Sequence, residues 1–170
     1  MGRLERARRT VGCRAKEAAI DGILALKLVH VLAAIVAVGA NVTYSFWIRS
    51  AGLERERLAW TIGRVRRLDD RIATPGYIVL LITGILMIVG GHFTFQTSWI
   101  AAAIVLYIIA TLMGIFLYAP ALRRQLAAAE ADPTSPEYRD AARRGNLFGI
   151  LTLAIMLVIV ALMVVKPSLW

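Results

Sequence analysis

The two histidines of the 170-residue sequence, His30 and His92, are its best candidates for ligand chemistry. A neutral imidazole is a good ligand for iron or copper, and it can also relay protons. His30 lies in an apolar stretch, residues 28–48, that contains no Lys, Arg, Asp or Glu. Ionisable side chains are costly in hydrocarbon, so a histidine at this position indicates either a functional site or a polar partner.

Four residues share one helical face with His30, because the spacings along this stretch are four, three, four and three. They are Ala34, Ala37, Asn41 and Tyr44. Asn41 and Tyr44 are polar, so we expect them to support a ligand held at His30 through hydrogen bonds. The alternative is packing, since small and polar residues also let membrane helices approach closely and bond to one another.

Long apolar runs are the elements that position these residues. Apolar residues make up 59% of the sequence, and residues 28–48, 72–122 and 147–165 contain no charged side chain. A membrane helix needs about 20 mostly apolar residues, so the middle run is long enough for two helices. The sequence therefore predicts an all-α, up-down four-helix membrane bundle at residues 23–166, preceded by a basic tail at 1–22. The predicted spans are residues 23–48, 72–91, 99–119 and 146–166.

His92 follows the second predicted span. In an up-down bundle this places it toward the same membrane face as His30. Two imidazoles at similar depth would suit a bis-histidine haem b or a small metal site. We therefore predict His30, His92, Asn41 and Tyr44 as cofactor-binding residues, with His30 and His92 as the ligands if the group is a metal ion.

Catalytic motifs are absent from the sequence. It contains no phosphate-binding Gly-rich loop, no Cys-x-x-Cys and no His-Glu-x-x-His. No carboxylate lies inside a predicted span, which argues against a proton-coupled transporter. No catalytic residue is predicted.

The net charge of +9 comes from basic residues that flank the apolar runs. Such flanks contact anionic lipid, and they lack the interleaved aromatic residues that would indicate nucleic acid. The loops at residues 49–71 and 121–145 mix charged and apolar residues, which predicts amphipathic helices that lie on the membrane or extend a span. These loops hold twelve Lys and Arg against eight on the opposite side, which favours a cytoplasmic location for the long loops.

Several short segments resemble an uncharacterised bacterial family of predicted four-span integral membrane proteins. The resemblance covers residues 24–165 and implies a multi-pass protein of the bacterial cytoplasmic (inner) membrane. The segments that carry it are residues 26–39 (LKLVHVLAAIVAVG), 73–76 (ATPG), 81–86 (LITGIL) and 98–100 (SWI).

A more distant resemblance is to the four-span membrane protoporphyrinogen oxidase and to copper-resistance membrane proteins. The matching residues are Lys27, His30, Pro75, Thr83 and Gly84. In the oxidase the first-span histidine is tied to haem binding, which implies that role for His30. The oxidase also carries a lysine early in its third span, and residues 99–104 contain none, which argues against oxidase activity in this chain.

Two functional hypotheses follow. The first is a haem- or metal-binding protein for redox chemistry or haem handling, with His30 as ligand. The second is a cofactor-free structural or assembly subunit that packs within a larger membrane complex or a homo-oligomer, with membrane lipids as its other partners.

Overall fold

The computed structural model describes residues 2–90 and 97–168, with side chains from residue 20 onward. Every regular element in these ranges is helical. The helices are α1 (Gly2–Ser50), α2 (Arg55–Leu68), α3 (Thr74–Val89), α4 (Ser98–Met113), α5 (Ala119–Ala131) and α6 (Pro136–Val165).

Four long apolar helices confirm the predicted all-α membrane bundle. They are Ile20–Ser50, Arg55–Val89, Ser98–Ala131 and Pro136–Val165, with 31, 35, 34 and 30 residues. At about 1.5 Å per residue each is ~45–52 Å long, whereas the hydrocarbon core of a bilayer is about 30 Å thick. The bundle therefore continues beyond the membrane, and the amphipathic loop helices extend the spans.

Two π-helical turns join the shorter helices into the long ones, at Asp69–Ala73 and Gly114–Tyr118. A proline follows each turn by two residues, Pro75 in one case and Pro120 in the other. Proline lacks an N–H, and its ring clashes with the carbonyl four residues earlier, so a widened turn lets the helix continue. As a result the third long helix continues through Pro120 and reaches Ala131.

Within the apolar segments the helices pack as two hairpins. The first hairpin pairs α1 with α3, and the second pairs α4 with α6, and these are the most extensive helix contacts of the described chain. Between the hairpins α1 and α6 meet much less closely. We call the four apolar segments the membrane half, namely residues 23–48, 74–89, 98–118 and 147–165.

Outside the membrane half lies a second layer, which we call the helical extension: α2, α5 and residues 136–145 of α6. α2 packs most extensively on α5, and α5 packs on α6. Leu58 and Ile62 are fully buried there and lie in one apolar cluster with Leu122, Ala129 and Tyr138. The arginine-rich outer faces of these helices belong in water, so this cluster is an ordinary hydrophobic core.

Tight turns close the helical extension. Gly52 has φ 72° in the turn between α1 and α2, a conformation that glycine adopts without strain. At the start of α6 the Ser135 hydroxyl accepts a hydrogen bond from the Tyr138 backbone N–H at 3.1 Å and so caps the helix.

Candidate functional site

His30 lies half-buried in the seam between α1 and α3. Its Nδ1 is 2.7 Å from Oγ1 of Thr83, whose side chain is 5% exposed. The Thr83 hydroxyl also lies 2.7 Å from the carbonyl oxygen of Val79, to which it donates within its own helix. With its single hydrogen used in that bond, Thr83 accepts from Nδ1–H of His30, which leaves a lone pair on Nε2.

Gly84 borders the same imidazole. A Cβ atom added at Gly84 would lie 3.6 Å from Cε1 of His30, an ordinary van der Waals contact. Gly84 therefore borders the ring, and an alanine there would also fit. Thr83 fixes the ring by a hydrogen bond.

Asn41 belongs to a different polar cluster. Its Nδ2 donates to the hydroxyl of Tyr77 at 2.8 Å and to the Ala37 carbonyl at 3.1 Å. Tyr107, on α4, donates its hydroxyl to the backbone carbonyl of Tyr77 at 2.7 Å, a polar bond between the two hairpins. Asn41 is eleven residues from His30, about 16 Å along the helix, so it does not contact the imidazole.

Tyr44 lies still farther along α1, at the border of the helical extension. Its side chain is 2% exposed, and its hydroxyl has no hydrogen-bond partner within 3.5 Å among the described residues. The Asp69 carboxylate lies close enough to Tyr44 and Tyr118 to interact with both electrostatically. The structure therefore places His30, Asn41 and Tyr44 at three successive levels of α1 and does not bring them into one site.

A half-open cleft of about 640 Å³ begins at the level of Asn41 and Tyr44. It lies between α1, α5 and α6, and Tyr118 and Gln125 contribute to its wall. His30 is not among the lining residues. The cleft is thus a second feature, separate from the histidine seam.

Within the part of the chain that the structure describes, His30 has few other metal-ligating side chains near it. Among residues 20–90 and 97–168 no three His, Cys, Asp or Glu side chains come together. A metal ion held only by side chains needs several such ligands, whereas haem iron needs one or two axial ligands. His30 can supply one axial nitrogen. His92, predicted as its companion, lies outside the described residues.

The sequence pattern points to His30 and to one face of α1 as site candidates, but it does not point to Tyr77, Gln125 or Asp69. Tyr77 carried a usable signal, because it lies seven residues before Gly84 and therefore on the same face of α3. Gln125 and Asp69 lie in the segments between the predicted spans, where charged and polar residues are common. No local sequence pattern therefore distinguishes these two side chains from their exposed neighbours.

Comparisons with known proteins agree with this architecture. A family model described as "Predicted integral membrane protein (DUF2269)" matches residues 24–167. No curated protein and no solved structure matches the chain. The matched region contains the four long apolar helices from residue 24 onward, and we conclude that the chain belongs to this family of multi-pass integral membrane proteins.

Proposed function

We propose that this membrane protein binds haem b through His30 and serves electron transfer or haem handling. The observation that carries the proposal is the 2.7 Å contact between Nδ1 of His30 and the buried hydroxyl of Thr83. Histidines that ligate iron commonly hold their second nitrogen in such a bond, which fixes the ring and directs the free nitrogen to the metal.

The residues around His30 support this assignment. Thr83 holds the imidazole, and Gly84 borders the same ring. Haem, when bound, supplies a one-electron change between ferric and ferrous iron. In this proposal Thr83 determines which ring nitrogen of His30 acts as the ligand.

Absorption spectroscopy of the detergent-purified protein tests the proposal, in the oxidised form and after dithionite reduction. We expect a Soret band that shifts and sharpens on reduction and that is lost in His30→Ala. Thr83→Val keeps the shape of the side chain but removes the acceptor, so haem occupancy should fall without vanishing. His92→Ala tests whether that histidine supplies a second ligand to the haem.

Circular dichroism of each variant separates loss of haem from loss of fold. A helical, monodisperse wild-type protein that stays colourless after incubation with haem would contradict the proposal. So would a Soret band that is unchanged in His30→Ala.

The second candidate function is a cofactor-free assembly subunit, and close packing at the same seam favours it. A Cβ added at Gly76 would lie 3.0 Å from the Cβ of Ala37, so α1 and α3 approach as closely as small residues allow. In this case the bond between His30 and Thr83 is one more contact of the seam. The folded protein would then be colourless, and His30→Ala would lower its stability and leave its spectrum unchanged.

We also propose that the protein lies in the bacterial cytoplasmic membrane with the helical extension in the cytoplasm. The excess of Lys and Arg in the two long loops supports this orientation. Single-cysteine labelling in intact cells tests it, starting from Cys13→Ser. A membrane-impermeant maleimide should label Ser168→Cys and leave Glu54→Cys unlabelled until the cells are opened, and the reverse pattern would invert the topology.

A further inference from the structure

The cleft between α1 and α6 has one wall, α6, that is fixed by close packing against the third long helix. A Cβ added at Gly145 would lie 3.0 Å from Oε1 of Gln125, and one at Gly149 would lie 3.3 Å from Cε2 of Tyr118. These two glycines therefore hold α6 closely against the third long helix. On its other side α6 meets α1 loosely, and Ser45 Oγ reaches Asn146 Oδ1 only at 3.5 Å. The cleft opens along this loose seam.

The chemistry of the cleft changes along its length. Its membrane end is apolar and is lined by Val42, Ile150 and Leu153. Its other end, where α1 reaches the helical extension, is lined by Arg49 and Arg143. Neither arginine has an ion-pair partner within 4.0 Å among the described residues, and no Asp or Glu lines the cleft.

The middle of the cleft is lined by polar side chains, and not all of them form a hydrogen bond to a described residue. Tyr44 contributes to its wall, and its buried hydroxyl lies near the Asp69 carboxylate but has no hydrogen-bond partner within 3.5 Å among the described residues. Gln125, only 4% exposed, borders the same space. Buried polar groups are normally satisfied by protein or by a bound molecule, so an amphiphilic ligand with hydrogen-bonding groups at this level fits better than a purely apolar one.

We propose that this cleft binds one anionic glycerophospholipid of the surrounding leaflet. The phosphate lies between Arg49 and Arg143, the glycerol and ester groups lie at the level of Tyr44 and Gln125, and one acyl chain follows the apolar end. Two unpaired arginines at a membrane boundary match an anionic headgroup. A volume of about 640 Å³ holds a headgroup and the first part of a chain.

Native mass spectrometry with lipid titration tests the proposal. The detergent-purified full chain is titrated with phosphatidylglycerol and, separately, with phosphatidylcholine of the same acyl chains. We expect one tightly bound phosphatidylglycerol and weaker phosphatidylcholine binding. Arg49→Gln with Arg143→Gln should weaken phosphatidylglycerol binding about 10- to 30-fold, because each basic residue near an anionic membrane surface contributes on the order of a factor of five.

The matched control is Arg139→Gln with Arg144→Gln, which removes the same charge from exposed positions of α6 outside the cleft. This control should bind the lipid like the wild type, and Arg49→Lys with Arg143→Lys should keep much of the preference. Circular dichroism checks the fold of each variant. Inorganic phosphate at millimolar concentration should not displace the lipid.

The proposal would be overturned by equal affinity for the two lipids, by unchanged binding in Arg49→Gln with Arg143→Gln, or by an equal loss in the control pair. Displacement by inorganic phosphate would also overturn it and would point to a soluble anion. Arg49 is nineteen residues from His30, about 28 Å along α1, so these outcomes are independent of haem binding.

Discussion

Leu58 and Ile62 are fully buried between the helices of the helical extension, whereas the largest fully buried side chain of the first hairpin's seam is that of Ala37. In the helical extension burial removes apolar surface from water, which contributes about 25 cal/mol per Å². In the membrane half the alternative to a helix contact is lipid, so close packing and hydrogen bonds must hold the helices together. The same four helices are therefore held together by different forces at different depths.

The two regions also differ in how strongly they connect the first hairpin to the second. In and beside the membrane half, the hairpins are joined among the described residues by the bond from Tyr107 to the Tyr77 carbonyl and by the long Ser45–Asn146 contact. In the helical extension α2, which continues into the first hairpin, packs along α5, which continues the second. We infer that the hydrophobic core outside the membrane contributes most to the association of the two hairpins.

The largest expected effect is that of Ile62→Ala. Truncating a fully buried side chain in a water-facing core should lower the free energy of unfolding by about 2–5 kcal/mol. Ile82→Ala, at a side chain that is 52% exposed on the lipid-facing surface, should change it by less than about 0.5 kcal/mol. Denaturant titration in detergent micelles, followed by circular dichroism, measures both. Equal losses would remove the distinction between the two regions.

Next in size is Gly76→Ala, which tests the membrane half. The new methyl group would meet Ala37 at 3.0 Å, so the seam must widen, at a cost of about 1–3 kcal/mol. Gly39→Ala is the control, because nothing lies within 4 Å of its added Cβ and alanine favours the helix. The same denaturant titration distinguishes them. A neutral Gly76→Ala would show that the seam is not closely packed.

A loss of about 1 kcal/mol is expected for Ser135→Ala, which removes the cap of α6 in the helical extension. Thr61→Ala is the comparison, because the Thr61 hydroxyl bonds only within its own helix at an exposed position. Hydrogen exchange at the first turn of α6 should rise in the first variant and stay unchanged in the second. Protection that survives Ser135→Ala would mean that packing of Tyr138 alone orders this turn.

The smallest effect is expected for Asn41→Leu. It removes the bond to the Tyr77 hydroxyl, and interhelical hydrogen bonds in membranes contribute about 0.6 kcal/mol on average. A double-mutant cycle with Tyr77→Phe isolates that pair. A coupling energy larger than the loss in Ile62→Ala would reverse the ranking of the two regions.

The presence of four long apolar helices was predictable, because long charge-free runs have few other structural solutions. The contact between His30 and Thr83 was not, since it depends on the register in which two helices pack. Pro75 and Pro120 mark the positions of the two π-helical turns in the sequence. They did not predict these turns, because a proline more often ends a helix than widens one of its turns. The sequence of the amphipathic loops allowed helices that lie on the membrane or helices that extend a span. The burial of Leu58 and Ile62 against α5 favours helices that extend the spans.

The loose seam between α1 and α6 also has a consequence for biogenesis. Each hairpin pairs spans that are consecutive in the chain, so each can form as soon as its second helix leaves the ribosome and enters the bilayer. The contact between α1 and α6 joins the two hairpins, so it forms only after α6 has been made. This loose interface thus forms when the first hairpin is already surrounded by lipid.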